Sequence, residues 1–427
     1  MLINTANKEK GFFWLVAGNV LYGLYQWLLI ALIIKAWGSE YVGYFAYGLA
    51  ISAPVFMFSN LNLRTVLAID VNEDYDFGSY FGLRLIMSLI AGMSVYLFCL
   101  TAGIRNEELL IISFVVALKL VESFSDISFG ALQQQRHLKD IGSSMAIKSI
   151  GSSVIVFSLF SMHSPVWFVL LMVMVFWILV LVLFDLKNVI KTKYELANIN
   201  KTYKDLFAFL LSGKNRISLV KHTASLGFVS MLISLDANIP RYIVKRLHGV
   251  DELGIYAGIG FIIILGNNVV ISYCQSIVSK LARHREDNQK NEYFATIFKT
   301  IKLILVLCIV GAIAAKSFGG SILNLVYSHE YAEQSNLFAL LVLGAGFGYS
   351  ALVFHYAGMA SRRFLIQVVV FSSSIAVTFV LSILFSRQWG VNGIAAARAV
   401  GYLIQLIILL FIITDKRSWN YIDKTKK

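Results

Sequence analysis

The chain has 427 residues, of which 58% are hydrophobic and only 14% charged, with a net charge of +13 and a mean hydropathy of +0.73. That much apolar surface excludes a soluble fold of this length, and the basic excess follows membrane sidedness, which argues against nucleic acid as a partner. The three cysteines, Cys99, Cys274 and Cys308, each lie in an apolar run at no metal or disulfide spacing, so they read as packing residues.

Runs of about 20 apolar residues, each long enough to cross a bilayer as a helix, recur from end to end. About twelve spans are predicted, at 11–35, 42–63, 79–103, 108–132, 142–162, 165–186, 216–238, 253–278, 301–322, 336–359, 364–386 and 391–414. Only Lys8 and Lys10 precede the first run, which lacks a small-residue cleavage site and is too long for a signal sequence, so it reads as a retained helix. The second run ends in Asn60, Asn62 and Arg64, with Asp70 beyond, and Arg84 lies in the third.

The fourth run is the most informative. Lys119, Glu122 and Asp126 fall at i, i+3 and i+7 and share one helix face. A charge at mid-membrane costs at least ~2.5–3.5 kcal/mol, so this face must look at protein or water rather than lipid. Lys148 lies in the fifth run, Lys221 in the seventh and Arg398 in the twelfth, while Asp236, Asn238 and Arg241 close the seventh around Pro240. The candidate substrate-binding or transport residues are therefore Arg64, Asp70, Arg84, Lys119, Glu122, Asp126, Lys148, Lys221, Asp236, Arg241 and Arg398. Snorkelling to the interface competes as an explanation for Arg64, Arg84 and Arg241. A structural ion pair competes for Lys119 with Glu122. As written, the set leans cationic, which suits an anionic substrate.

The longest polar stretch, 187–215, is far too short for a domain and reads as a basic cytoplasmic linker. It separates an N-terminal six-helix bundle (1–186) from a C-terminal one (216–415), with a basic tail at 416–427. Two echoes relate the halves. Trp37-Gly38 leading to Gly43-Tyr44 matches His248-Gly249 leading to Gly254-Ile255-Tyr256, and Gly130 to Arg136 matches Ala357 to Arg363. Both copies point the same way, as in a parallel repeat, which places a substrate path near the midplane. With both termini cytoplasmic, cytoplasmic segments hold roughly 25 Lys and Arg and outer loops about 7. The clusters Lys187–Arg216, Lys280–Lys302, Arg362–Arg363 and Lys416–Lys427 also suit contact with anionic membrane lipids. Trp14, Trp37, Tyr41, Tyr44 and Trp177, near the span ends, read first as an interfacial belt.

No Walker loop, metal-ligand cluster or nucleophile elbow is present, and His222 and His355 read as packing residues. The expectation is thus a non-enzyme with neither metal nor cofactor.

These segments resemble the Wzx-type oligosaccharide flippases of the polysaccharide transporter family, in the superfamily that includes the MATE exporters and the lipid II flippase. The resemblance runs from Asn7 to Asp415. It is carried by Gly38 to Phe45, Asn62 to Asp70, Lys119 to Ile127 with Gly130 to Gln133, Asn238 to Tyr242 with Gly254 to Tyr256, and Gly390 to Ala396. It implies an all-α membrane fold of two pseudo-symmetric six-helix bundles around a central cavity. It also implies translocation of an undecaprenyl-diphosphate-linked oligosaccharide of O-antigen or capsule type, from the cytoplasmic to the outer leaflet of the bacterial inner membrane. Arg64, Asp70, Lys119, Glu122, Asp126 and Arg241 lie in the matching segments. One departure is that the lipid II flippase has a charge within its first span, whereas this span has none before Lys35.

Coupling to protons or sodium is allowed but not demanded, because the membrane potential alone drives anions outward by roughly 2.3 kcal/mol per charge per 100 mV. Other enzymes of the polysaccharide pathway are further candidate partners at the basic loops. A MATE-type cation-coupled exporter is the alternative, and it would favour acidic lining for a cationic drug. A polysaccharide polymerase is less favoured, because the outer loops have ordinary connection lengths of about 5–15 residues.

Overall fold

The computed structural model describes residues 2–70, 74–197, 216–359 and 364–414, and among them all regular structure is helical, with no strand. Among the described residues, ten helices are long and apolar enough to cross a membrane. This count and the twelve apolar runs meet in two helices. Helix α5, Asn106–Gln134, has the length of a span but carries Lys119, Glu122 and Asp126 in its middle. The last helix, Phe364–Thr414, counts once although it covers two runs, with Gly390 at φ 56 and ψ −137 inside it. At 1.5 Å per residue its 51 residues would reach about 77 Å, far beyond the ~30 Å hydrocarbon core. Gly390 breaks it in a backbone region that side chains disfavour, which separates the eleventh and twelfth spans.

The chain forms two compact units, Met1–Leu235 and Asp236–Lys427. The N-terminal unit holds α1 (Leu2–Trp37), α2 (Ser39–Ser59), α3 (Leu63–Ile69), α4 (Phe77–Thr101), α5, α6 (Leu138–Ser161) and α7 (Val166–Val180). A π-helical turn, Leu181–Leu186, continues α7 into α8, Lys187–Ala197. The remainder of the predicted 187–215 linker, with Lys193, Lys201 and Lys204, lies outside the described residues or side chains, as do Arg362, Arg363 and the 416–427 tail. Helix α9, Arg216–His248, crosses from one unit to the other. Its first turns belong to the N-terminal unit, where buried Leu219 joins Leu63, Leu67, Tyr80, Leu83 and Ile127 in one cluster. The C-terminal unit continues with α10 (Val250–Glu286), α11 (Lys290–Val326), α12 (His329–Ala332), α13 (Ser335–Met359) and α14 (Phe364–Thr414). Its core centres on Cys274, Tyr293, Ile297, Phe354 and Val370.

Packing follows membrane rules. Gly142 of α6 sits so close to α1 that a Cβ there would lie 2.1 Å from the Trp14 carbonyl oxygen. Such backbone approach needs small residues, and dispersion rather than water expulsion holds the helices. On α4, Gly92, Val95 and Cys99 face inward while Leu89, Ile90, Met93 and Leu97 stay more than half exposed. In water each would forfeit about 1.5–3 kcal/mol of burial, so this face suits hydrocarbon.

The first echo between the halves reappears in the backbone. Gly38, between α1 and α2, has φ 85 and ψ −175, and Gly249, between α9 and α10, has φ 94 and ψ −176. The second echo reaches Arg362 and Arg363, outside the described residues.

Candidate functional site

The charged face of α5 opens onto a cavity of about 260 Å³ within the N-terminal unit. Its wall is made where α2 stops. Leu61 and Asn62 both take positive φ, 49 and 53, so the chain turns sharply before α3 begins. Asn tolerates this conformation better than most residues. The turn presents Asn60, Asn62 and Arg64 to the cavity, opposite Lys119, Glu122, Ser123 and Asp126, with Ser230 of α9 completing the lining.

Three ion pairs in two groups meet there. The Lys119 ammonium donates to the Glu122 carboxylate at 2.7 Å, and the Tyr22 hydroxyl donates to the other Glu122 oxygen at 3.1 Å. Asp126 takes two arginines, one on each oxygen, Arg64 at 3.2 Å and Arg84 at 3.2 Å. Arg84 comes from α4, is fully buried behind Asp126, and its Nε and Nη1 have no hydrogen-bond partner. Arg64, Asp126, Lys119 and Glu122 are by contrast 33%, 31%, 27% and 37% exposed. Three bases against two acids leave one positive charge over, and it belongs to the Arg64–Asp126–Arg84 group.

The other predicted residues are placed elsewhere. Lys148 is sealed in the protein, donating to Asp185 at 2.6 Å and to Ser125 of α5 at 2.5 Å. Asp185, fully buried in the π-helical turn, also accepts from Ser144 at 2.5 Å. Phe129 of α5 lies between these charges, its ring 5.4 Å from the Lys148 ammonium and 5.6 Å from the Arg64 guanidinium carbon. Asp70 organises the turn after α3 by accepting from the Asp74 and Tyr75 amides and, at 2.9 Å, from the Tyr80 hydroxyl. Lys221 is exposed on α9.

In the C-terminal unit, Asp236 accepts from Arg398 and from Gln405, each at 2.8 Å and all three buried. Arg398 also stacks 3.8 Å over the Tyr402 ring. Arg241 donates to the Asn238 amide oxygen at 2.9 Å and lies over the Phe261 ring. His355 stacks on Phe371 at 4.9 Å.

Sequence reasoning overlooked Asp185, Tyr22, Ser230 and Gln405. Asp185 carried a usable signal, since it is an acid within an otherwise apolar run, the criterion that singled out Asp126. Tyr22 and Gln405 carried none, because a lone polar residue in a span is common. Among the described residues, no group of three or more His, Cys, Asp or Glu is placed to hold a metal ion.

Residues 268–426 match the family model described as lipid II flippase MurJ. Over 401 residues the chain is 24% identical to the capsular polysaccharide biosynthesis protein CapF of Staphylococcus aureus, covering 93% of this chain and 97% of that protein. Among solved structures, it is similar to the lipid II flippase MurJ in an inward closed conformation, with a TM-score of 0.72 at 14% identity over 94% of this chain and 88% of the other. It is also similar to a MATE multidrug transporter, DinF-BH, with a TM-score of 0.65 at 13% identity over 96% of each chain. The Vibrio cholerae MATE transporter VcmN gives a TM-score of 0.62 at 12% identity, covering 98% of this chain and 100% of that one. The fold is therefore the all-helical one shared by MurJ and the MATE transporters.

Proposed function

From a chain with this fold, whose ionisable residues line a cavity inside a bundle of apolar helices, we propose that it is a flippase of the bacterial inner membrane. The cargo is an undecaprenyl-diphosphate-linked oligosaccharide repeat unit of O-antigen or capsule type, moved from the cytoplasmic to the outer leaflet by alternating exposure of the site. Similarity over nearly the whole length of both chains to a capsular polysaccharide biosynthesis protein is the observation that carries this reading. The matched family and structures are flippases and transporters, in keeping with a non-enzyme.

The chemistry of the N-terminal cavity supports it. Diphosphate oxygens pair with guanidinium and ammonium groups through charge-assisted hydrogen bonds. Arg64 and Lys119 are about one-third exposed, each held by a carboxylate that a diphosphate can displace, while Arg84 supplies the surplus positive charge from behind. Asn60, Asn62, Ser123 and Ser230 offer neutral donors and acceptors to sugar hydroxyls. A cationic drug would instead need a free carboxylate, and both cavity carboxylates are engaged by bases.

Outward movement of the diphosphate follows the membrane potential, by roughly 2.3 kcal/mol per charge per 100 mV, so coupling to protons or sodium is allowed but not demanded. The test is deletion in the native bacterium. Lipid-linked units should accumulate in the cytoplasmic leaflet and surface polymer should vanish, both restored by the wild-type gene. Units that reach the outer leaflet without the protein would refute the proposal.

A further inference from the structure

The C-terminal unit has a second cavity, of about 680 Å³, that the flippase reading does not use. Two helix faces of equal spacing make it. Ile309, Ala312, Ile313 and Lys316 on α11, and Asn336, Ala339, Leu340 and Leu343 on α13, each fall at i, i+3, i+4 and i+7, the spacing of one helix face. The break at Gly390 supplies the third wall, Trp389 and Asn392 of α14.

The polar groups gather at one end. Lys316 begins it, its ammonium donating to the Asn336 amide oxygen. No acidic side chain lines the cavity, and Lys316 has no ion pair among the described residues. The Asn392 amide oxygen is buried without a hydrogen-bond partner. The opposite end, with Ile309, Leu340 and Leu343, is apolar. Ile309, Ile313 and Trp389 are about half exposed or more, and this face, like that of α4, suits hydrocarbon. Trp389 is of the type that settles at the head-group level.

The geometry points to a site for one anionic phospholipid with a hydroxylated head group, of the phosphatidylglycerol kind. An acyl chain fills the trough between α11 and α13. The phosphodiester sits on Lys316, which has no carboxylate to compete with it, and a head-group hydroxyl donates to the orphaned Asn392 oxygen. An ethanolamine head group would bring its own ammonium towards Lys316, and a bare phosphate monoester has no hydroxyl-bearing arm for Asn392. The cavity volume falls in the ~300–1,000 Å³ range of small-ligand sites, and the trough is open along much of its length. The site is independent of what the protein transports.

The test uses full-length protein purified in detergent and offered equal amounts of phosphatidylglycerol, phosphatidylethanolamine and phosphatidic acid with matched chains. Lipid retained per protein is read by native mass spectrometry. Wild type should retain phosphatidylglycerol over both others. Lys316→Met should lower that retention about tenfold, the effect of losing one charge-assisted hydrogen bond. Asn392→Ala should erase the preference over phosphatidic acid alone.

A second reading leaves Lys316 and Asn392 in place and uses Trp389, in the cavity wall, as the reporter. Phosphatidylglycerol with brominated chains should quench the fluorescence that wild type loses in Trp389→Phe, and brominated phosphatidylethanolamine should not. Equal retention of the three lipids by wild type, unchanged phosphatidylglycerol retention in Lys316→Met, or equal quenching by the two head groups would overturn the proposal.

Discussion

The α5 cavity and the Asp236–Arg398 pair are both intramembrane charge groups, yet they are built to opposite ends. Around Asp236 everything is closed, with Arg398 and Gln405 converging on one carboxylate and Tyr402 covering the guanidinium. Around α5 the acids and bases are about one-third exposed and line open space. A charge inside a membrane span is therefore not by itself evidence of a transport role. Exposure separates groups that can exchange partners with a substrate from groups that hold helices together. Lys148 with Asp185 belongs to the second kind, and it also ties α7 to α5 through Ser125.

Breaking the sealed group should have the largest effect on stability. Arg398→Met leaves Asp236 buried without its cation and should cost about 3–5 kcal/mol. It is measured as loss of folded protein by thermal unfolding in detergent. The double change Arg398→Met with Asp236→Leu should recover much of that loss, because replacing both partners by apolar groups removes the desolvation cost. A double variant no better than the single one would remove the distinction between sealed and open groups.

Packing gives the next largest effect. In Gly142→Leu the new side chain meets the α1 backbone at Trp14, which cannot move aside as a side chain would, so about 1–3 kcal/mol should be lost on the same thermal scale.

Open pairs should behave in reverse. Lys119→Ala removes a partly exposed pair and should change stability by at most about 1 kcal/mol, yet abolish surface polymer when it replaces the wild-type gene. Unfolded Lys119→Ala protein would place that pair with the structural ones. The smallest effect is expected at Lys221, which is exposed and remote from the cavity lining. Lys221→Ala should stay within about 0.5 kcal/mol in stability and keep surface polymer at the wild-type level.

The fold was legible because hydrocarbon imposes one rule on every span, and apolar run length reads that rule directly. The same periodicity placed Lys119, Glu122 and Asp126 on one face. What lay hidden was set by backbone geometry rather than composition. Nothing in Asn60-Leu61-Asn62 announces two consecutive residues at positive φ, and that turn is what carries Arg64 to Asp126. Pairing was hidden as well. The sequence allows snorkelling for Arg84 and puts Lys148 and Arg398 deeper, whereas the structure buries Arg84 behind the cavity, neutralises Lys148 and Arg398 with Asp185 and Asp236, and leaves Lys221 exposed. Within the α5 cavity the cationic balance narrows to the Arg64–Asp126–Arg84 group.

The most direct measurement is flipping by purified protein in liposomes, with a short polyprenyl-diphosphate oligosaccharide loaded on one side and its exposure on the other followed over time. Wild type is compared with Arg64→Gln/Lys119→Gln, whose thermal unfolding should match it closely. The account predicts that the double variant flips at least about tenfold more slowly, the loss of roughly one charge-assisted contact or more. Equal rates in the two proteins would contradict it and move substrate recognition away from the charged face of α5.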